Sequence, residues 1–200
     1  LGTELATIPA QVPYLSADPQ LVGDWQDRLR EIPGFRVGIN WQGRPGPGRG
    51  HVRNIPLRHF APLAELPGVR LISLQQRPRC QAGEEDQEPF PLIDFGDDVD
   101  QTHGALMDTA AIMRNLDLVV TSDTSVAHLA GGLGVPVWVA LPWAADWRWL
   151  RARSDSPWYP TMRLFRQPRW GDWASVFRDM EAILRDVTVA ARCSCQPCSP

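Results

Sequence analysis

Lysine is absent from the 200 residues, so all 20 basic side chains are arginines. This absence excludes Schiff-base catalysis and a P-loop lysine. A positively charged side chain that binds an anion must therefore be an arginine. Positive charges are also fewer than negative ones, because 20 arginines stand against 23 acidic residues and give a net charge of −3. A whole-surface positive field is missing, and we expect no nucleic acid as a partner.

Long hydrophobic runs are missing as well, since no apolar stretch approaches the roughly 20 residues that a membrane span needs. The four cysteines are too few and too unevenly placed for a disulfide framework, which predicts a cytoplasmic protein. Cys193, Cys195 and Cys198 crowd one end without a further ligand nearby, so they do not predict a structural zinc site. Hydrophobic residues still make up 44% of the chain, enough for a sizeable core.

Apolar, β-branched runs alternate with amphipathic stretches from residue 36 onward. The predicted strands lie at 35–41, 69–74, 92–95, 118–121, 135–141 and 162–165. The predicted helices lie at 21–31, 57–66, 104–115, 124–133 and 173–190. This alternation is typical of the α/β class, a Rossmann-like parallel sheet covered by helices on both faces. Such domains bind ligands at the carboxyl ends of their strands.

Three segments follow one another along the chain. Residues 1–35 carry four prolines and are predicted to form an extended strap and a short helix that connect to another domain. Residues 36–190 form the predicted Rossmann-like domain. Residues 191–200 contain too little apolar surface to pack, which predicts a flexible tail.

The stretch SDTSVAHLAGGLG, residues 122–134, leads from a predicted strand directly into a predicted helix. Its first two residues can cap that helix, which leaves backbone amides at the positive end of the helix dipole as a diphosphate site. The hydroxyls of Thr124 and Ser125 add donors, and His128 follows one turn later. The alternative is that Asp123 and Thr124 only cap a helix and that His128 is a hydrogen-bonded core histidine. Spacing alone does not decide between the two.

A second loop, residues 42–56, follows the first predicted strand and contains four glycines. At the carboxyl edge of the sheet it can fold over a bound phosphate and supply positive charge in place of lysine. Gln42 stands at the strand end and is predicted to face the pocket. The alternative is a solvated surface loop. The loop's basic side chains are those of Arg44, Arg49, His51 and Arg53.

Several segments together resemble the C-terminal, donor-binding half of the heptosyltransferase-related glycosyltransferases, known as glycosyltransferase family 9. The resemblance covers residues 8–185 and is greatest to bacterial proteins in which this unit follows tetratricopeptide repeats. It implies a GT-B fold, in which two Rossmann-like domains face each other across a cleft and this half holds the nucleotide-sugar donor. The segments are RVGINWQG (36–43), RNIPL (53–57), LISLQ (71–75), 108–134, 136–150 and 156–167.

The resemblance implies roles for individual donor-binding residues. Asp123, Thr124 and Ser125 match the motif whose helix N-terminus takes the donor diphosphate. Asp123 is the candidate to meet the hydroxyls of the donor sugar. Arg53 falls where related enzymes carry a basic residue against the phosphates. Where many family members have glycine, this chain has Ser125.

Nucleoside contacts are implied for Gln75, at the ribose, and for Met107, Asp108 and Thr109, near the base. We assign no metal ligand and expect transfer without a metal or other cofactor, because a helix N-terminus and an arginine can stabilise the leaving nucleoside diphosphate. The general base is expected in the N-terminal domain, outside this chain. The chain alone is therefore expected to bind the donor and to transfer little or nothing.

Seven of the nine tryptophans lie between residues 138 and 173. One interpretation is a sugar-stacking surface formed by Trp143, Trp147 and Trp149, with the Asp146 carboxylate beside it. The interpretation we favour is that these tryptophans pack on the sheet or face another domain.

Two other functions remain compatible with the sequence. One is a non-catalytic nucleotide-binding module, and the other is a sugar epimerase of the same GT-B architecture. Release of nucleoside diphosphate from a sugar donor by a longer protein would favour a transferase, whereas binding without turnover would favour a module.

Overall fold

The structure, a computed structural model, describes residues 2, 4–43, 52–76 and 90–194, with the backbone alone for 192–194. Within these residues, five parallel strands form one sheet in the order β2-β1-β3-β4-β5. The strands are β1 (Phe35–Asn40), β2 (Val69–Ser73), β3 (Leu118–Ser122), β4 (Val137–Leu141) and β5 (Met162–Arg166). The α-helices are α1 (Pro19–Arg30), α2 (Ala61–Ala64), α3 (Met107–Met113), α4 (Ser125–Gly132) and α5 (Trp173–Ser194). Short 3₁₀ turns occur at Leu5–Thr7, Leu57–Phe60, Gly96–Asp98 and Trp147–Trp149.

Helices cover both faces of the sheet, as the alternating pattern predicts. On one face α1, α3 and α4 pack around a core that contains Trp25 and Trp149. On the other face α2 and α5 pack around a core that contains Phe60 and Phe177, whose ring centroids are 4.6 Å apart. The predicted parallel sheet with helices on both faces is therefore confirmed.

Helix α1 belongs to the first of these cores. Its N-cap residue, Asp18, accepts hydrogen bonds from first-turn amides through its carboxylate, and proline occupies the first helical position. Leu21, Trp25 and Leu29 recur every four residues and are buried. The segment 1–35 thus contributes a core helix, while the division of the chain at residue 35 stays a prediction.

Three predicted elements are shorter or different in the structure. The predicted strand at 92–95 is reduced to one parallel bridge between Ile93 and Ile72, because a proline precedes it and Asp94 accepts the amide of Gly96 in a turn. The predicted helix at 104–115 begins only at Met107, since Leu106 is left-handed with φ 66°. The segment predicted as helix 57–66 begins as a 3₁₀ turn.

The C-terminal helix is longer than its pattern predicts. Helix α5 ends at Ser194, so the predicted tail at 191–200 begins inside it, and residues 195–200 lie outside the described residues. Among the helices of the described ranges, none combines the length and the apolar character that crossing a membrane requires.

Candidate functional site

The carboxyl edge of the sheet has its topological switch point between β1 and β3. The connection from β1 to β2 crosses the face of α2, whereas the connection from β3 to β4 crosses the opposite face through α4. The loops after these two neighbouring strands therefore separate and leave a crevice between them, where open α/β sheets bind their ligands. Asn40, the last residue of β1, pairs in register with Thr121 near the end of β3.

A hydrogen-bond network joins the ends of β2, β1 and β3 beneath this crevice. The Oε1 of Gln75 accepts from Asn40 Nδ2 at 3.0 Å and from the backbone amides of Trp41 at 3.3 Å and Gln42 at 3.0 Å. Asn40 Oδ1 accepts in turn from the hydroxyl of Thr124 at 2.9 Å. Gln75, Gln42 and Thr124, which were singled out from separate parts of the sequence, are thus brought together by Asn40.

Helix α4 begins at this network. Thr124 is its N-cap residue, with extended backbone angles (φ −136°, ψ 177°), but among the described residues its side chain accepts no hydrogen bond from the first-turn amides. The predicted capping by Ser122 or Asp123 is therefore wrong by one or two positions, because β3 continues to Ser122. The exposed Ser125 opens the helix, so the amides of Ser125 and Val126 lie at its uncapped, positive end.

Arg53 lies beside the segment that follows β1, in which Trp41, Gln42 and Gly43 come after Asn40. A Cβ placed on Gly43 would stand 3.1 Å from a terminal guanidinium nitrogen of Arg53, so the guanidinium packs across this glycine. The Nε of Arg53 is buried and has no hydrogen-bond partner within the described part of the chain. Three further predicted residues of this loop, Arg44, Arg49 and His51, lie outside the described residues.

The residues predicted near a nucleoside base occupy the start of α3. The carboxylate of Asp108 accepts from Trp25 Nε1 at 2.9 Å and from the amide of Asp100 at 2.9 Å, and hydrogen bonds lower its pKa although burial opposes them. Thr109 is fully buried and donates its amide to Asp100 at 3.1 Å. Solvent reaches Met107, which is 38% exposed. A nucleoside contact by these residues stays a prediction.

His128 lies one turn into α4, in an aromatic cluster. Its ring stacks on Trp149 with centroids 5.3 Å apart, and its Nδ1 lies 3.0 Å from the hydroxyl of Tyr159. Burial and the nearby Arg148 lower the pKa of His128, and the carboxylates of Asp123 and Asp146 oppose that shift. The imidazole is therefore neutral near pH 7.

The three tryptophans of the possible sugar-stacking surface follow β4 and differ in their exposure to solvent. Trp149 is fully buried in the core, as the packing interpretation predicts, whereas Trp143 is 58% and Trp147 74% exposed. Asp146 accepts from the backbone and the side chain of Arg148, and the first of these bonds contributes most to lowering its pKa. Packing on the sheet is thus confirmed for Trp149. Trp143 and Trp147 present their rings to solvent in this chain, and their facing another domain stays a prediction.

Asn40 and one acidic pair were missed by the sequence reasoning. Asn40 is 4% exposed and stands between the predicted ligand contacts, and its signal was a polar residue ending an apolar strand. Asp98 and Asp100 form an Asp-x-Asp pair, yet the first pairs with Arg28 at 2.8 Å and the second with the amide of Thr109. Across the described ranges, no three His, Cys, Asp or Glu side chains form a group able to hold a metal ion.

Comparison with known proteins gives one related sequence and several related folds. No family model matches the chain. Protein FlbA of Caulobacter vibrioides is 28% identical over 184 residues, which cover 89% of this chain and 30% of FlbA. The chain therefore spans less than a third of that curated relative.

The related folds are those of heptosyltransferases and of a glycosyltransferase family 9 protein. Escherichia coli ADP-heptose lipopolysaccharide heptosyltransferase II has a TM-score of 0.52 and 14% identity, over 90% of this chain and 55% of its own. Escherichia coli heptosyltransferase WaaC with ADP has a TM-score of 0.52 and 16% identity, over 88% of this chain and 53% of its own. A glycosyltransferase family 9 protein of Veillonella parvula has a TM-score of 0.51 and 14% identity, over 86% of this chain and 45% of its own.

These matches settle the fold class. The chain has the Rossmann-like parallel sheet that forms about half of a GT-B glycosyltransferase, as the resemblance implies. It spans about half the length of the solved structures that it matches.

Proposed function

We propose that this chain is the nucleotide-sugar-binding half of a metal-independent GT-B glycosyltransferase. The donor diphosphate binds at the N-terminus of α4, in the crevice between the carboxyl ends of β1 and β3. The observation that carries the proposal is the uncapped α4 N-terminus at the switch point of a fold shared with heptosyltransferases. An anion at this position would complete the hydrogen bonds that the helix itself leaves open.

The first supporting feature is the arrangement of donors around the crevice. The amides of Ser125 and Val126 supply directed N–H groups, and Arg53 supplies the positive charge across the crevice from the side of β1. The extended backbone of Thr124 directs the chain into the helix without placing its own side chain over those amides. Backbone amides and a guanidinium are together sufficient to hold two phosphate groups.

The second supporting feature is the polarity of the residues that follow β3. Asp123 is buried and lies close enough to His128 to influence its pKa, so a negative carboxylate borders the crevice next to the helix. Such a carboxylate accepts hydrogen bonds from sugar hydroxyls. We therefore assign the sugar end of the donor to Asp123 and the phosphate end to the α4 amides and Arg53.

The proposed chemistry is stabilisation of a departing nucleoside diphosphate. As the bond between the sugar and the phosphate breaks, negative charge grows on the phosphate oxygens, where the helix dipole and Arg53 act without reorganising. This requires no metal ion from the protein. The general base that takes the proton of the acceptor hydroxyl belongs to a second domain, which the resemblance implies and which this chain does not contain.

The longer protein is part of the proposal. Because the chain spans about half of each matched structure, the second GT-B domain would lie elsewhere in the protein, together with tetratricopeptide repeats. The cysteine content supports a cytoplasmic location for this assembly.

Calorimetric titration of the chain tests the proposal. ADP is the first probe because the matched WaaC structure contains ADP, followed by GDP and UDP, all in the presence of EDTA. We expect one nucleoside diphosphate to bind at a single site without metal. If ADP, GDP and UDP all leave the heat of dilution unchanged, a donor site in this chain is disproved.

A second assay separates a transferase from a binding module. The longer protein is incubated with the sugar conjugate of whichever diphosphate binds, and release of the free diphosphate is measured. Slow release supports the transferase, whereas binding without any release would assign the chain to a non-catalytic module.

A further inference from the structure

Asn40 is a buried amide with a defined orientation. The Gln75 atom that faces it accepts two backbone N–H groups, those of Trp41 and Gln42, and must therefore be the carboxamide oxygen. The Asn40 atom that points to this oxygen, at 3.0 Å, must then be the amide nitrogen. The Asn40 oxygen accordingly faces β3 and α4.

This orientation determines what the hydroxyl of Thr124 does. Because Asn40 Oδ1 can only accept, the Thr124 hydroxyl donates to it, over 2.9 Å. The Thr121 hydroxyl lies 3.3 Å from the same oxygen and 3.2 Å from the Thr124 hydroxyl, while its nearest acceptor, at 2.9 Å, is the carbonyl of Ser122. The Thr124 side chain is thus held toward the end of β1 and away from the first turn of α4.

A threonine at a helix N-cap ordinarily behaves otherwise. Its hydroxyl oxygen accepts from the amide of the second or third helical residue, which contributes about 1 kcal/mol to helix stability. Thr124 has the extended backbone of an N-cap residue, yet among the described residues it makes no such bond. A hydroxyl in the capping position would occupy the amides that an anion needs, so capping and anion binding compete.

We propose that Asn40 is a positioning residue, which holds the Thr124 hydroxyl away from the first turn of α4. The amide of Ala127 donates to the carbonyl of Thr124 at 3.1 Å, so the amides that Asn40 keeps free for a ligand are those of Ser125 and Val126. The inference rests on the proposed function for the identity of that ligand, a nucleoside diphosphate. The position of the hydroxyl itself is a property of the unliganded chain. The two parts are therefore measured separately.

The first measurement is amide hydrogen exchange of Val126 and Ala127 in the unliganded chain, by NMR. In Asn40→Ala the Thr124 hydroxyl loses its acceptor and caps the helix, so we expect exchange of at least one of these amides to slow by about fivefold. In the double variant Asn40→Ala/Thr124→Val no hydroxyl is left to cap, and the wild-type rate returns. Thr121→Val is the matched control, because it removes a neighbouring hydroxyl bond and keeps the Asn40–Thr124 bond.

A further variant keeps the test valid if Asn40→Ala does not fold. Thr124→Val alone should leave exchange of Val126 and Ala127 at the wild-type rate, since the wild-type hydroxyl does not cap. Faster exchange in Thr124→Val would mean that the hydroxyl caps α4 in the native chain, and this would overturn the inference. Equal rates in folded Asn40→Ala and in the wild type would overturn it as well.

The second measurement is ADP affinity in a double-mutant cycle. Asn40→Ala should weaken binding by about fivefold in the wild-type background and by less than about twofold in the Thr124→Val background. Equal losses in both backgrounds would show that Asn40 does not act through Thr124. If the wild type binds no nucleoside diphosphate, the proposed function fails, while the exchange rates still decide the role of Asn40.

Discussion

At the scale of single residues, the crevice combines an arginine whose buried Nε has no partner in the described part of the chain with polar side chains that bond to one another. The guanidinium of Arg53 lies across Gly43, and its buried Nε has no partner within the described ranges. Gln75 and Thr124, in contrast, are already hydrogen-bonded to Asn40 through their side chains. If a diphosphate binds as proposed, we therefore expect Arg53 and the backbone amides of α4 to contribute most of its hydrogen bonds.

Arg53→Ala is expected to weaken diphosphate binding by about 1.5–3 kcal/mol, the range for a hydrogen bond to a charged group. Calorimetric titration with ADP measures the loss. Arg70→Ala is the control, since Arg70 lies near the amino end of β2, at the opposite edge of the sheet. Equal affinities of the two variants would remove Arg53 from the site.

His128 is a second residue whose behaviour follows from its surroundings. Burial beside Trp149 and Tyr159 lowers its pKa, and the positive charge of the nearby Arg148 lowers it further. The folded chain therefore binds a proton at His128 less readily than the unfolded chain does. The stabilisation from the neutral ring is complete above the unfolded pKa of about 6.5 and is lost as the pH falls through the lower folded pKa.

His128→Gln is expected to make stability less sensitive to acid. Between about pH 7.5 and 5.5, the free energy of unfolding should fall more steeply for the wild type than for the variant. Urea unfolding at several pH values measures the difference. His59, whose pKa is also lowered, titrates in both proteins, so parallel pH profiles would contradict the assignment to His128.

At the scale of elements, α4 differs at its two ends. It starts without a side-chain cap and ends in a Schellman motif, in which Gly134 has φ 71° and donates to the carbonyl of Gly131 while Val135 donates to that of Ala130. The C-terminal end is thus fully hydrogen-bonded and the N-terminal end is open.

Ser125→Pro removes one amide donor from the open end. Proline fits the first helical position, and the extended Thr124 has the conformation that precedes proline readily. We expect ADP affinity to fall by about fivefold or more, with the free energy of unfolding unchanged within about 0.5 kcal/mol. Ser125→Ala keeps the amide and serves as the control. A loss no larger in Ser125→Pro than in Ser125→Ala would exclude this amide from the site.

The close packing of α4 is tested by glycine substitutions. A Cβ on Gly131 would stand 2.5 Å from the Tyr159 ring, so Gly131→Ala is expected to lower the free energy of unfolding by about 1–3 kcal/mol. Gly23→Ala in α1 meets no atom within 4 Å and is expected to raise it by about 0.5–1 kcal/mol. Urea unfolding compares the two, and effects of the same sign would contradict the packing described for α4.

At the scale of the whole molecule, the N-terminal segment and the sheet form one packed unit. Trp25 of α1 donates to Asp108 of α3, and both residues are buried between these helices. Backbone amides of Tyr14 and Leu15 donate to the carbonyl of Gly132 at the end of α4. The segment before β1 is therefore bonded to both α3 and α4.

Two truncations test this arrangement. Removal of residues 1–7, where the 3₁₀ turn Leu5–Thr7 has no buried residue, should change the free energy of unfolding by less than about 0.5 kcal/mol. Removal of residues 1–31 deletes α1 and should abolish cooperative unfolding, followed by circular dichroism in urea. Cooperative unfolding of the shorter chain at an unchanged midpoint would instead support an independent domain that begins at residue 36.

The sequence by itself determined the class of fold and indicated the helix at which we propose the site. The alternation of apolar runs with helical patterns is local information, and it predicts a parallel sheet with helices on both faces. The residues directly after the predicted strand at 118–121 indicate the helix whose N-terminus borders the crevice. The strand and the helix that follows it depend on neighbours in the chain, so local spacing was sufficient to predict them, but it did not decide between a ligand site and a helix cap.

Only the tertiary structure decided which polar groups are already occupied. Asn40, Gln75 and Thr124 meet because β1 lies between β2 and β3, an order that no local periodicity records. The same contacts direct the Thr124 hydroxyl away from its own helix, whereas sequence reasoning expected it to face a ligand. Hydrogen bonds between distant segments are set by strand order and packing, so the free donors of the crevice became visible only in the folded chain.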